Sequence, residues 1–385
     1  MPLQRLLILS YTDARYEPRI QRQAAHLRKD YKITLAGLTD VELDGVEFLP
    51  VRRRAKNIVS QGFIAANLLL GNYGPAMRRF APDNPEKAFS GDFDLVLVHD
   101  PEPFPLAFAL AKGAPVVFDA HEYYPRWFES SLAWRLFFQR YLTSLCAEYI
   151  PRCAGMITVC PGIADEYRRV FGRRPEVAYS GPEYMELPVN PADPGGIRLV
   201  HHGAARPNRC LELMISLMDH TDSRFTLDMY LVGDGPYMRK LQNMAAARKN
   251  VRLRDPVPMP ELTRLCNRYD MGLYLLPPTG FNTKHMLPNK FFEFIQARIG
   301  VAIGPSVEMA PIVGQHGLGV IAEDFTPRAL AEKLNALTAE DITRFKRNAD
   351  KAAEIYTAEA SLNVLRAVLA EALRDRASPV TPDRG

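Results

Sequence analysis

The chain has 385 residues, 47% of them hydrophobic and 24% charged, with a formal net charge of +4. That length exceeds a comfortable single core and points to two domains. So small a net charge gives no argument for a nucleic-acid partner, and none is expected. The basic excess is local, because residues 1–90 hold 14 Lys/Arg against 9 Asp/Glu and the remainder 34 against 35.

Strands are expected at 6–10, 32–37, 46–50, 95–99, 116–119 and 155–159, alternating with helices at 19–29, 106–112, 132–150 and 162–171. Pro182, Pro188, Pro191, Pro194, Gly195 and Gly196 then mark a linker. A second series follows, with strands at 198–202, 226–232, 251–254, 271–276 and 301–304. Its helices are expected at 209–218, 238–247, 259–269, 289–297, 326–337 and 341–374. Strand–helix alternation means parallel sheets covered on both faces. The expected division is a Rossmann-like domain at 1–185, a linker at 186–196 and a second Rossmann-like domain at 197–355. A helix at 356–376 is expected to pack back on the first domain, ahead of a disordered tail at 377–385. Ligands of such domains bind beyond the carboxyl ends of the strands, so a cleft between two facing domains is the expected site.

Cys146, Cys153, Cys160, Cys210 and Cys266 form no C-x-x-C pair and read as reduced thiols of a cytoplasmic protein. The opening MPLQRLLILS is too short in its apolar run for a signal peptide, and no run reaches the length of a membrane span.

The segment Leu287-Pro288-Asn289-Lys290-Phe291-Phe292-Glu293 carries the most chemistry. It places Lys290 and Glu293 three apart on one face of the first turn of an apolar helix. A helix N-terminus favours anions, and a lysine there suits a phosphate. A carboxylate one turn on can accept two hydrogen bonds from a ribose diol. Together they make half of a nucleotide site.

Residues 198–320 resemble the donor-binding half of retaining GT-B glycosyltransferases, the family-4-like enzymes of bacterial surface polysaccharide synthesis. Five segments carry the resemblance in the family's order. They are His202-Gly203-Ala204-Ala205-Arg206-Pro207-Asn208-Arg209-Cys210-Leu211-Glu212, Tyr230-Leu231-Val232-Gly233-Asp234-Gly235-Pro236, Val257-Pro258-Met259-Pro260-Glu261-Leu262, Tyr269-Asp270-Met271-Gly272-Leu273, and the stretch 288–313. The resemblance implies that Gly203, Arg206 and Arg209 meet the donor diphosphate, with a bare glycine backbone and planar guanidinium forks suited to phosphate oxygens. It also implies that Gly233 and Gly235 wall the pocket, although a tight turn needs the same residues. Val257 and Pro258 would lie beside the nucleobase, and Leu287, Pro288 and Asn289 would line the donor site.

The family often carries a glutamate eight positions before the second one, and His285 stands there instead. His285 reads equally as a sugar contact or a surface-loop histidine. Gly280, Phe281, Asn282 and Thr283 are candidates to supply the missing sugar contacts. In the first domain, Asp119-Ala120-His121-Glu122 is similar to a family segment whose histidine lies near the transferred sugar, and His99-Asp100-Pro101-Glu102 lines the same edge. Arg15 and Arg19 would face the cleft from the acceptor side, or are solvated arginines. The implied reaction takes a sugar from a UDP- or GDP-linked donor, with retention, without metal or other cofactor, to a glycan or lipid-linked acceptor.

Arg52, Arg53, Arg54 and Lys56 precede an apolar stretch at 58–70, and Arg78 and Arg79 follow it. That pattern suits peripheral contact with an anionic membrane such as the inner face of the cytoplasmic membrane, and also a solvated basic face. Two rivals remain at this level. An epimerase on the same fold would need carboxylates, with Glu102 and Glu122 as candidates. A silent subunit of a polysaccharide-synthesis complex is allowed by the missing acid at 285, while the Arg209, Lys290 and Glu293 set argues against it.

Overall fold

The computed structural model describes residues 3–51, 58–78 and 92–377. The chain forms two compact units. One is built from the sequence up to Tyr179, from Gly280–Asn282 and from the residues after Leu362; the other comprises Ser180–Thr279 and Thr283–Ser361.

The first unit is centred on seven parallel strands, β1 (Arg5–Leu9), β2 (Lys32–Gly37), β3 (Val46–Pro50), β4 (Leu95–His99), β5 (Val116–Ala120), β6 (Gly155–Thr158) and β7 (Glu176–Val177), in the order β3-β2-β1-β4-β5-β6-β7. β1, β4 and β5 are each mostly apolar because both faces of the sheet are covered, with Arg5, His99 and Asp119 as their only polar residues. Leu6 and Ile8 pack with Ile20, Ala24 and Leu27 of the Pro18–Leu27 helix. Leu365, Val368, Leu369 and Ala372 from the last helix join that same core.

The second unit holds six parallel strands, β8 (Ile197–Ala204), β9 (Phe225–Val232), β10 (Val251–Arg254), β11 (Met271–Tyr274), β12 (Gly300–Ile303) and β13 (Gly319–Ile321), in the order β10-β9-β8-β11-β12-β13. The direction of progression reverses between β1 and β4 in one sheet and between β8 and β11 in the other. These are the switch points where ligands of doubly wound sheets bind. Lys346, buried, donates to the Tyr269 carbonyl at 2.9 Å and pairs with Asp270 at 3.1 Å. Asp270 in turn accepts from the Arg198 backbone at 2.8 Å, which ties the start of β8 to the start of β11.

Several expectations change. The helix read at 132–150 is Leu132–Trp134, a π-helical stretch at Arg135–Gln139, then Arg140–Tyr149. The wider turn shifts the register, so Tyr141, Leu142 and Leu145 are buried while Leu132, Leu136 and Phe138 stay exposed. The helix read at 341–374 is two, Ala339–Ala353 and Ala358–Ala377. The break falls where Thr357 Oγ1 accepts from the Ala360 N–H at 3.0 Å and the Ala358 N–H turns to the Pro182 carbonyl at 2.8 Å.

The proline-rich stretch read as a linker has no regular structure but is seated on the second unit. The Met185 N–H meets Gln296, Asn190 meets Asn267, and the Ala192 N–H meets Thr343, each at 3.1–3.3 Å. Short β7 and β13 and the Gly74–Arg78 and Met309–His316 helices add to the expected elements. All five cysteines are free thiols. The basic residues Arg52, Arg53, Arg54, Lys56 and Arg79 lie outside the described residues. The Ile58–Leu69 helix that follows the first four leaves Phe63 and Leu69 exposed.

Candidate active site

In the second unit, the Asn289–Gln296 helix brings its first turn to the carboxyl ends of β8 and β11. Its seat is cut to shape, because a Cβ on Gly272 of β11 would stand 2.2 Å from the Phe294 ring. Pro288 precedes the helix with extended backbone and no capping side chain. Lys290 and Glu293 share one face as expected. The Lys290 ammonium lies 3.4 Å from His201 Nε2, 5.5 Å from the centre of the Tyr274 ring, and against the backbone of Gly203. A Cβ on Gly203 would be 2.7 Å from Nζ, so the bare glycine makes the space the ammonium uses. Burial, with Arg209 adding to it, lowers the Lys290 pKa to about 7. A cation held in this way is poised to gain from an arriving anion.

His201 and His202 were not singled out from the sequence for this role. His201 Nδ1 donates to the Leu273 carbonyl at 2.8 Å, which leaves Nε2 as an acceptor facing Lys290. Burial, then the charge of Lys290, keeps the ring neutral by lowering its pKa far below the ordinary histidine value. His202 Nε2 lies 3.2 Å from Glu293 Oε2, with its ring edge-on to Phe294. The signal was a pair of histidines at the inner end of an apolar strand, where aliphatic residues are the rule.

Arg209 departs from expectation in one respect. It does not open a helix. It closes a 3₁₀ turn, Pro207–Arg209, and Cys210 with φ of 48° separates it from the Leu211–Leu217 helix. That helix has its first N–H already engaged, since Leu211 donates to Tyr237 Oη at 2.9 Å. No helix dipole therefore assists Arg209. Its guanidinium instead reaches Met286 Sδ at 3.2 Å, and Tyr274 Oη meets the same sulfur at 2.8 Å. Arg209, Tyr274, Met286 and Lys290 are thus neighbours. Tyr274 and Met286 also line a pocket of ≈ 100 Å³ together with Thr283, Lys284, Pro305 and Phe325.

The remaining expected donor residues divide. Gly233, with φ of 140°, packs on Ala205 beside β8, and Gly235, with φ of 82°, starts the Gly235–Ala246 helix. Arg206 is exposed at the entry to the 3₁₀ turn, Val257 is half-buried and Pro258 exposed ahead of the Met259–Cys266 helix. Leu287 is buried and Asn289 exposed at the start of the Lys290 helix. His285 Nδ1 lies 2.6 Å from Glu308, so the position that lacks the family's first acid has a carboxylate brought to it from elsewhere in the chain. Asn282 is corrected. It belongs with the first unit, where its amide accepts from the Tyr123 N–H at 2.8 Å and donates to the Tyr123 and Arg126 carbonyls at 3.1 and 3.2 Å. Both amide N–H groups are taken up by backbone, which leaves none for a sugar.

In the first unit, β4 and β5 end in a compact ionic cluster. Arg19 Nε meets Asp119 Oδ2 at 2.8 Å and Gln23 donates to the same oxygen at 2.6 Å. Arg19 is therefore an ion-pair partner within the fold, while Arg15 is exposed and paired with Asp13 at 2.7 Å. His121 Nε2 lies 2.9 Å from His99 Nδ1 and 3.7 Å from Asp119 Oδ1. Burial lowers the pKa of His99 to about 3. Burial also opposes charge on His121, but Asp119 overrides it and raises the pKa. Of the two rings, His121 is the one whose charged form the cluster favours. Asp100, next to this pair, adopts a left-handed φ of 64° and accepts from Tyr124 Oη. His99, Asp119 and His121 offer ligand atoms within 4.8 Å of one another, but Arg19 already supplies the cation that Asp119 requires.

Residues 20–181 match the model of Glycosyltransferase Family 4. No curated protein matches the chain by sequence. Among solved structures it is similar to HepE of Anabaena in complex with UDP and glucose, with a TM-score of 0.68 and 12% identity over 95% of this chain and 99% of that one. It is similar to sucrose-phosphate synthase of Thermosynechococcus elongatus, with a TM-score of 0.71 and 10% identity over 97% and 100% of the two chains. WaaG, a glycosyltransferase involved in lipopolysaccharide biosynthesis, gives a TM-score of 0.62 and 12% identity over 94% and 98%. The match to Glycosyltransferase Family 4 covers residues 20–181, and the two parallel α/β sheets along the chain have the GT-B fold of these structures.

Proposed function

We propose that the protein is a glycosyltransferase that takes a sugar from a UDP-linked donor and transfers it, with retention and without metal, to a glycan or lipid-linked acceptor of a cell-surface polysaccharide or glycolipid. The observation that carries the donor half is the Lys290 ammonium, held between Gly203, His201 and Arg209 at the switch point of the second sheet. Lys290 and Arg209 would stabilise charge on the departing diphosphate, and Glu293 would take the ribose hydroxyls. The pocket beside Tyr274 and Met286, with the His285 and Glu308 pair near it in sequence, offers room for part of the sugar. His121 would serve the sugar or the attacking hydroxyl. Support for UDP comes from HepE, whose structure holds UDP-glucose.

Contact with an anionic membrane at the cytoplasmic face belongs to the same reading. Phe63, Leu69 and Leu70 are exposed on and just after the Ile58–Leu69 helix, and Leu132, Leu136 and Phe138 on the π-containing helix that packs against it. No described helix is long and apolar enough to cross a membrane, so the contact would be peripheral. The test is a thermal-shift and calorimetric screen of UDP and GDP. A ligand at 100 times its Kd should stabilise by about 2.7 kcal/mol. Arg209→Ala and Lys290→Ala should each weaken binding without unfolding, and His121→Ala should lose transfer while keeping UDP affinity. Unchanged nucleotide affinity in both cation variants would remove the donor assignment.

A further inference from the structure

We propose that His201, near the end of β8, is a positioning residue for the donor site, holding the Lys290 ammonium. This rests on the donor reading of Lys290 and adds one residue to it.

The geometry is specific. Lys290 and Glu293 stand one helical turn apart, so their side chains leave the helix on one face. His201, near the end of β8, lies opposite that turn and meets Lys290 at 3.4 Å, whereas His202 Nε2 stands 3.2 Å from Glu293 without a hydrogen bond to it. His201 has its tautomer fixed. The Leu273 carbonyl at 2.8 Å accepts only a proton, so Nδ1 carries the hydrogen and Nε2 presents a lone pair. A lone pair fixed at that point can only receive a donor, and Lys290 is the donor there. The ammonium has little else to hold it in place: the face of Tyr274 at 5.5 Å and the open backbone of Gly203. A flexible lysine in such a space would otherwise sample several rotamers. The acceptor on His201 selects one.

A histidine packed in a core would show the same burial, so the test must read more than stability. His201→Asn keeps an amide N–H at the place of Nδ1 for the Leu273 carbonyl and withdraws the acceptor from Lys290. His201→Gln extends an amide oxygen toward the position of Nε2. With UDP as the probe in titration calorimetry, His201→Asn is expected to weaken binding about tenfold, and His201→Gln to restore most of that loss. In a Lys290→Ala background, His201→Asn should change UDP affinity by less than about twofold, because its effect passes through the lysine.

The pH profile gives a second readout. The charged groups facing Lys290 are Arg209 and Glu293, and His201 is the neutral one. Above the second phosphate pKa of about 6, wild-type UDP affinity should fall as pH rises through the lysine's own pKa, since only the ammonium binds. Removing the acceptor from His201 should move that fall to lower pH.

The outcomes separate. If Lys290→Ala weakens UDP binding and His201→Asn does not, positioning by His201 is wrong and the donor reading stands. If the His201→Asn loss persists in full on Lys290→Ala, the histidine acts on the fold and the proposal is again overturned. If neither UDP nor GDP binds the wild-type enzyme, the donor reading fails and takes the proposal with it.

Discussion

Gly203→Ala is the sharpest single perturbation of the donor site. Gly203 has φ of 137°, a backbone conformation that costs an L-residue roughly 1–3 kcal/mol. Its added Cβ would lie 2.7 Å from Lys290 Nζ and 3.6 Å from Cε. The tip of a lysine moves easily, so the overlap itself adds little to the loss of stability. It displaces the one atom that matters. To regain ordinary contact at 3.4 Å the ammonium must retreat by at least the difference of 0.7 Å, in a place where its bond to His201 is already 3.4 Å long. Losing a charge-assisted hydrogen bond to phosphate costs about 1.5–3 kcal/mol. UDP affinity should therefore fall roughly 10- to 150-fold, at 1.4 kcal/mol per decade. Calorimetric titration reports the affinity, and a melting curve without ligand reports the strain separately. On a Lys290→Ala background the same substitution should change affinity little. Wild-type UDP affinity in a folded Gly203→Ala protein would refute the reasoning.

Other consequences can be measured as directly. Glu293→Gln should lower affinity for UDP more than for its 2′-deoxy analogue, since a carboxylate accepts from both ribose hydroxyls; equal losses would place Glu293 off the ribose. Neutralising Arg52, Arg53, Arg54 and Lys56 together should release the protein from anionic vesicles at low salt while sparing transfer to a soluble acceptor, at about 1 kcal/mol per cation. A wild-type protein that does not sediment with such vesicles ends the membrane reading. Leu136→Ser with Phe138→Ser should weaken the same sedimentation without lowering the melting temperature, because both side chains are exposed; unchanged sedimentation would exclude that helix from the contact. Lys346→Met should destabilise the second unit by up to about 3–5 kcal/mol in denaturant unfolding, because it leaves the buried Asp270 only the largely exposed Arg198 guanidinium, 3.7 Å away, as a cation; a loss below about 1 kcal/mol would show the pair to be replaceable.

The parallel sheets were legible because β1, β4 and β5 are short, mostly apolar segments alternating with helical ones, a pattern few other folds produce. The Lys290 and Glu293 face was legible because a three-residue spacing on an apolar helix is local information. What escaped the sequence was set by distant partners. Nothing near Arg209 announces the left-handed Cys210 that ends its turn, since cysteine carries no turn signature. Asn282 looked free to meet a sugar until its partners at Tyr123 and Arg126, more than 150 residues away, were known. Glu308 reaches His285 from 23 residues on, and His201 reaches Lys290 across 89. Spacing rules do not extend over such intervals. The π turn at Arg135–Gln139 was hidden for another reason, since apolar residues recur at helical spacing on both sides of it and the sequence does not show which of them are covered.

The placement of the last helix bears on how the protein is made. Leu365, Val368, Leu369 and Ala372 belong to the core laid down by β1, β2 and β4, yet they are synthesised some 270 residues after β4. The leading half of the chain leaves the ribosome with an apolar face uncovered, and at 5–20 residues per second that interval lasts roughly 15–50 s. The second unit, contiguous apart from Gly280–Asn282, has its whole core in hand earlier. Final consolidation of the first unit therefore waits until the second unit has been made, and a chain that stops before Leu362 should remain a chaperone client with its second half already folded.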